Sequence, residues 1–203
     1  MLKLGPELFR LLNEKQVVGN REPVIYGEGG LSPTEIAAIE GQLGFRLPLD
    51  FAYLLENVLD PGAVLFPWAN FRKQDYDKAI EWIQKGVEFD VGNGLWLERW
   101  EARPATLHAA IRVAKRDFAT WPKLLPLFGH RFLAAEPYRS GNPIFSIMQT
   151  DIVCYGANLA HYLVNEFVSS DQQRYVSSHA TQKIEIWSDF ADGSAGINWL
   201  RPF

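Results

Sequence analysis

The segment LLPLFGHRFLAAEPYRSGNPIFSIMQTDIVCYG, Leu124 to Gly156, holds four short apolar runs separated by turn formers. Leu124 to Leu127, Arg131 to Ala134, Ile144 to Met148 and Ile152 to Tyr155 have strand length, and Gly129, Gly141-Asn142-Pro143 and Gly156 punctuate them. They read as the strands of a sheet. Asn158 then caps a helix through Phe167, and Lys183 to Trp187 reads as one further strand.

Upstream of Pro122 the periodicity is helical. Pro6 starts a helix whose Leu8, Leu11 and Leu12 share a face and which ends before Gly19. Arg21 to Gly30 is a loop with Val24-Ile25-Tyr26 as a brief edge strand. Ser32-Pro33-Thr34-Glu35 is a capping box with proline at the first helical position; Ile36, Ile39 and Leu43 follow at helical spacing, and Gly44 closes the helix. Leu47-Pro48 opens a third helix in which Phe51, Leu54, Leu55 and Val58 share a face before Asp60-Pro61-Gly62. Tyr76, Ile80, Ile83 and Val87 mark a fourth, and Leu107, Ile111, Ala114, Phe118 and Trp121 a longer one. Between these two, Phe89 to Leu97 reads as a hairpin. Helices grouped first and strands later define an α+β domain with N-terminal helices on a mainly antiparallel sheet.

The 203 residues make one domain, and 47% hydrophobic with 22% charged residues is enough to bury one sizeable core. A net charge of -4 provides no positive field for phosphate backbones, which speaks against direct nucleic-acid binding; it suits an encounter with a basic protein and is equally ordinary for a cytoplasmic one. The single cysteine, Cys154, cannot form an internal disulfide and is compatible with a reducing compartment. Gly5, Pro6 and Glu7 break the apolar start of the chain, and no run approaches the roughly 18 apolar residues of a membrane span. The expectation is a cytoplasmic protein without membrane association.

The chemistry-bearing residues define no catalytic set. His108, His130, His161 and His179 lack metal-ligand spacing, no nucleophile elbow is present, and Cys154 lies in an apolar run where a thiol packs as an inert residue. Gly27-Glu28-Gly29-Gly30 and Gly92-Asn93-Gly94 lack a dinucleotide or phosphate-loop signature and read as turns. Asp75 and Asp77 suit the first turn of a helix. Glu98 and Glu101 flank Trp100 either as exposed charges or as an acid/base pair beside a sugar-stacking ring. Gly129-His130-Arg131, Glu136 and Asp151 punctuate adjacent strands, either converging at one end of the sheet or serving as turn residues with a structural Arg-carboxylate pair. Most of Trp68, Trp82, Trp96, Trp100 and Trp121 are expected in the core. No metal, cofactor or catalytic residue is assigned.

Three segments carry a family resemblance. Leu31-Ser32-Pro33-Thr34-Glu35-Ile36 through Leu47-Pro48-Leu49-Asp50-Phe51 resembles the N-terminal helix, elbow and second helix of the SUKH superfamily, which includes the Smi/Knr-type cell-wall assembly regulators and many bacterial relatives. Phe89 to Trp96 with Arg103-Pro104 is similar to a middle segment of one bacterial branch, and Leu127 to Phe132, Gly141 to Ile147 and Asp151 to Gly156 follow the family's strand order. The resemblance spans roughly residues 31–167 of a single domain over 1–203, and 168–203 form an extension outside it. It implies a non-catalytic protein-binding domain: either an immunity protein neutralising a polymorphic toxin by direct contact, or a regulatory or scaffolding module. A glycan-binding protein or hydrolase is the less favoured alternative. Asp90, Asn93, Trp96, His130, Arg131, Glu136 and Asp151, polar or aromatic residues beside predicted turns, are the candidate contacts to a protein partner. The sequence names neither that partner nor an oligomeric state.

Overall fold

Apolar residues at successive positions of the central strands, as in Leu124-Leu125, Phe132-Leu133 and Ile144-Phe145, give the sheet two apolar faces, and both need a cover. The computed structural model describes residues 4–168 and 182–203. In chain order the elements are α1 (Pro6–Lys15), β1 (Ile25–Tyr26), α2 (Pro33–Leu43), α3 (Leu49–Glu56), β2 (Val58–Leu59), a 3-10 turn (Trp68–Asn70), α4 (Lys73–Gly92), β3 (Leu95–Leu97), α5 (Leu107–Phe118), β4 (Leu124–Phe128), β5 (Arg131–Ala134), β6 (Ile144–Met148), β7 (Asp151–Gly156), α6 (Leu159–Phe167), α7 (Trp187–Asp192) and β8 (Ile197–Trp199). This is a single-domain α+β fold.

Strands β4 to β7 form an antiparallel meander in sequence order, as the apolar runs predict. Register sets Phe132 opposite Phe145 and Phe145 opposite Cys154 in one row, with Arg131, Ser146 and Val153 in the next row on the other face. Leu125, Leu127, Leu133 and Ile144 pack with Leu8 and Leu12 of α1, Ile39 of α2, Phe51 and Leu54 of α3 and Leu163 of α6. Phe132, Phe145, Ile147 and Ile152 pack with Ile83 and Val87 of α4, Leu95 of β3, Val113 of α5 and Trp187 of α7. The sheet therefore divides the interior into two cores, where composition suggested one.

The punctuation of α2 is as read. Ser32 Oγ accepts from the Glu35 N–H at 3.3 Å, Glu35 Oε2 accepts from the Ser32 N–H at 2.8 Å, and Gly44 ends the helix at φ 79°. The edge strand at Ile25–Tyr26 also forms, paired with β2.

Four local expectations are corrected. The helix read through Trp121 ends at Phe118 and, at 12 residues, is shorter than α4 with 20. The third helix stops at Glu56, because Val58 and Leu59 pair with β1 and leave the helical face. Phe89–Leu97 is not a hairpin: α4 runs on to Gly92, since Ile83, Val87 and Val91 continue one buried face, and only Leu95–Leu97 is strand. Lys183 to Trp187 is not a strand. Ser188 Oγ and Asp189 Oδ2 accept from the Ile184 and Ile186 N–H groups, which lead into α7 in place of a ladder.

The capping box is the local device that fixes the start of α2. Ser32→Ala is expected to lower stability by about 1 kcal/mol, read as a lower urea midpoint with an unchanged m-value.

Candidate functional site

Arg131 stands on the α6-covered face of the sheet, in the same row as Ser146. Helix α6, capped by Asn158 Oδ1 accepting from the His161 N–H, brings Glu166 over it. Arg131 Nε donates to Glu166 Oε2 at 3.2 Å, Nη1 donates to Ser146 Oγ at 3.0 Å and to His130 Nε2, and the guanidinium lies 3.9 Å from the centre of the Tyr155 ring. The two charged side chains are only 13% and 8% exposed. Their charges cancel and the guanidinium is occupied, so the arrangement locks α6 to the sheet and leaves little of Arg131 for an outside ligand. Burial, with the neighbouring Arg131 cation, lowers the pKa of His130, which keeps the imidazole neutral and able to accept.

The proposed convergence is thus partial. His130, Arg131 and Asp151 lie at the end of the sheet that carries the β4–β5 and β6–β7 turns. Asp151 is exposed there. Glu136 lies beyond the other end of β5, where it accepts from the Lys123 N–H at 3.3 Å. Asp90 and Trp96 are corrected as contact residues. Asp90 is buried and accepts from Thr150 N–H at 2.9 Å and Thr150 Oγ1 at 2.6 Å, docking α4 on the β6–β7 turn. At the same contact a Cβ on Gly86 would sit 2.8 Å from Gln149 Cα, so α4 needs glycine there. Trp96 is buried and donates to the Glu101 carbonyl at 3.0 Å. Asn93 is exposed and closes α4 by donating to the Phe89 carbonyl at 2.8 Å.

The sugar-platform alternative loses its ring: Trp100 is buried edge-on against Trp96, their centroids 4.8 Å apart, and Glu101 accepts from Arg116 at 2.6 Å. Trp68 and Trp121 are also buried, whereas Trp82 is 43% exposed. Asp75 and Asp77 form ion pairs with Lys78 and Lys73 along α4. Among the described residues no group of three His, Cys, Asp or Glu side chains gathers as a metal site, and no helix is long and apolar enough to cross a membrane. His179 lies outside the described residues.

A groove that the residue reading did not find lies between the start of α2, the end of α3 and the loop that follows β2. It encloses about 300 Å³, and Leu31, Leu55, Leu59, Phe66 and Trp68 form its apolar walls. Glu35 and Asp60 supply its acidic groups. Trp68 is fixed by its N–H to the Pro126 carbonyl at 3.0 Å and by stacking on Phe71. Asp60 accepts from the Val64 and Leu65 N–H groups at 2.8 and 2.6 Å, which shapes the loop. Hydrogen bonds from Ser32 lower the pKa of Glu35, keeping it ionised at the exposed lip. Leu59 is 43% exposed and accessible at the opening. Asp60-Pro61-Gly62 shows in the sequence only as a stop, because the path of the loop back over Trp68 depends on contacts with β4.

Missed as well were Glu166, Ser146 and Tyr155 around Arg131, and the buried hydroxyls of Tyr26, Tyr155 and Tyr162, which have no hydrogen-bond partner among the described residues. Comparison with protein-family models, with curated proteins and with solved structures finds no match.

Two outcomes test the site. Glu166→Ala leaves the Arg131 charge buried without its carboxylate and is expected to cost roughly 3–5 kcal/mol in denaturant unfolding. Burial pushes the Cys154 thiol up to about 11. At pH 8 it is therefore expected to resist a thiol-labelling reagent in the folded protein and to react once urea unfolds the chain.

Proposed function

We propose that this chain is a protein-binding module that neutralises its partner by covering it, with no bond made or broken in its own pockets. The observation that carries the reading is the groove at the start of α2: apolar walls with two carboxylates and an accessible Leu59. Such a site suits an aliphatic or aromatic side chain flanked by lysine or arginine, presented by a basic protein. The net charge of -4 favours the same encounter.

The immunity-type reading, in which the partner is a toxin domain, comes from the SUKH resemblance over roughly residues 31–167, whose first segment contains Leu31, Glu35 and the capping box. Its support is that Leu31 and Glu35 of that segment line the groove. A cover of this kind needs about 1,600 Å² of total buried interface, of which the groove would be the anchoring centre. On the same reading the protein works in the cytoplasm, takes no cofactor and keeps Cys154 reduced.

Co-expression with the product of the adjacent gene is the direct test. The expected result is co-purification, rescue of growth, and an association rate that falls as salt rises. Leu59→Lys, which places a cation at the opening, is expected to weaken binding at least tenfold with an unchanged melting temperature. Failure of the wild-type chain to bind or rescue, or equal binding by Leu59→Lys, overturns the reading.

A further inference from the structure

Strand β8 lies in the extension outside the family resemblance, and it is the exposed half of a two-stranded ribbon. Its partner β3 is buried throughout, while Trp199 is 62% exposed, Leu200 42% and Phe203 44%. The antiparallel register sets Leu95 opposite Trp199, Trp96 opposite Asn198 and Leu97 opposite Ile197. The Glu98 N–H donates to the Gly196 carbonyl at 2.8 Å and the Leu200 N–H to the Gly94 carbonyl at 2.7 Å. In such a ladder residues 196, 198 and 200 direct their backbone groups at β3. Ile197 and Trp199 therefore turn their N–H and C=O groups to the other side, where no strand lies among the described residues.

The ribbon is held in place. The Phe203 N–H donates to the Gly92 carbonyl at 3.3 Å, Arg103 Nη1 donates to the Arg201 carbonyl at 2.7 Å, and the Arg103 guanidinium lies 3.8 Å from the centre of the Phe203 ring. Leu107, 40% exposed, lies next to Gly92, where a Cβ would meet its Cδ1 at 3.7 Å. Open edges in monomers usually carry a lysine, a proline or a bulge as protection. The strand Ile-Asn-Trp has none of these; Arg201 and Pro202 follow it.

We infer that the free edge of β8 is a self-association surface, on which two copies of this chain pair Ile197–Trp199 antiparallel about a two-fold axis through Asn198. The register is self-complementary. Ile197 falls opposite Trp199 of the second copy and Trp199 opposite its Ile197, so all four outward N–H and C=O groups on each copy find partners. Asn198 faces its own copy, Arg201 falls opposite Ala195, and no like charges meet. A charged partner strand would find no complement along Ile197–Leu200, which favours a second copy as the occupant. The product is a continuous four-stranded sheet with β3 at each outer edge.

Sedimentation of the full chain over a micromolar concentration series tests this. The expected result is a reversible shift from 23.1 kDa to twice that mass. Trp199→Lys and Ile197→Pro, the second removing an outward-facing N–H together with the contact of the half-buried Ile197 side chain on the second core, are each expected to weaken the dimer at least tenfold. Near-ultraviolet circular dichroism and the melting temperature of the monomer establish that they fold. Asn198→Cys is expected to form an intermolecular disulfide on mild oxidation, since the central pair of this register brings two Cα atoms to about 4.5 Å. A wild-type chain that stays monomeric across the series overturns the proposal. So does a dimer that both folded variants retain, or one that Asn198→Cys fails to cross-link.

Discussion

The constraint on which the rest depends is that the β4–β7 meander is apolar on both faces. A sheet with one apolar face can leave the other in water; this one cannot, and α1, α2, α3 and α6 cover one side while α4, α5, α7 and β3 cover the other. The two cores share the strands, so disturbance of one strand is felt on both sides. Rows such as Phe132, Phe145 and Cys154 leave no room for a polar side chain without a partner.

Arg131 is the instructive exception. It enters the face covered by α6, and the structure supplies Glu166, Ser146, His130 and the Tyr155 ring to receive it. Asp90 is handled in the same way by Thr150. Both residues have the polarity of a binding site and both are consumed in joining a helix to the sheet. Two surfaces lie outside these locks: the apolar walls of the groove beside α2, whose Asp60 and Glu35 already accept from backbone N–H groups, and the open edge of β8. The two lie on different elements, so a partner in the groove and a second copy at the edge are compatible uses of one chain.

What could be read from residues alone divides by the range of the physics involved. The capping box at Ser32 and Glu35, the glycine stop at Gly44, the Asn158 cap and the four strand runs rest on bonds or periodicities spanning a few residues, and all of them form as read. The failures sit where a distant group, or in one case a neighbouring side-chain cap, changes the local balance. Phe89–Gly92 stays helical although Gly92-Asn93-Gly94 resembles a turn, because Val87 and Val91 bury in the second core and Thr150 receives Asp90. Ile184 and Ile186 alternate like a strand, yet Ser188 and Asp189 occupy their N–H groups.

By itself, the sequence determined the α+β class, the caps of α2 and α6 and the order of the four meander strands, and it carries no signature for nucleotide or metal chemistry, since these follow from spacing and residue type. Tertiary structure alone decided that the sheet is covered on both faces, that Arg131 and Asp90 are spent internally, and that a groove opens over Trp68 while an edge opens at Ile197 and Trp199. The reason is physical. Periodicity reports which face of an element avoids water, but the identity of what covers that face is set by contacts between residues far apart in the chain, and those contacts leave no local trace.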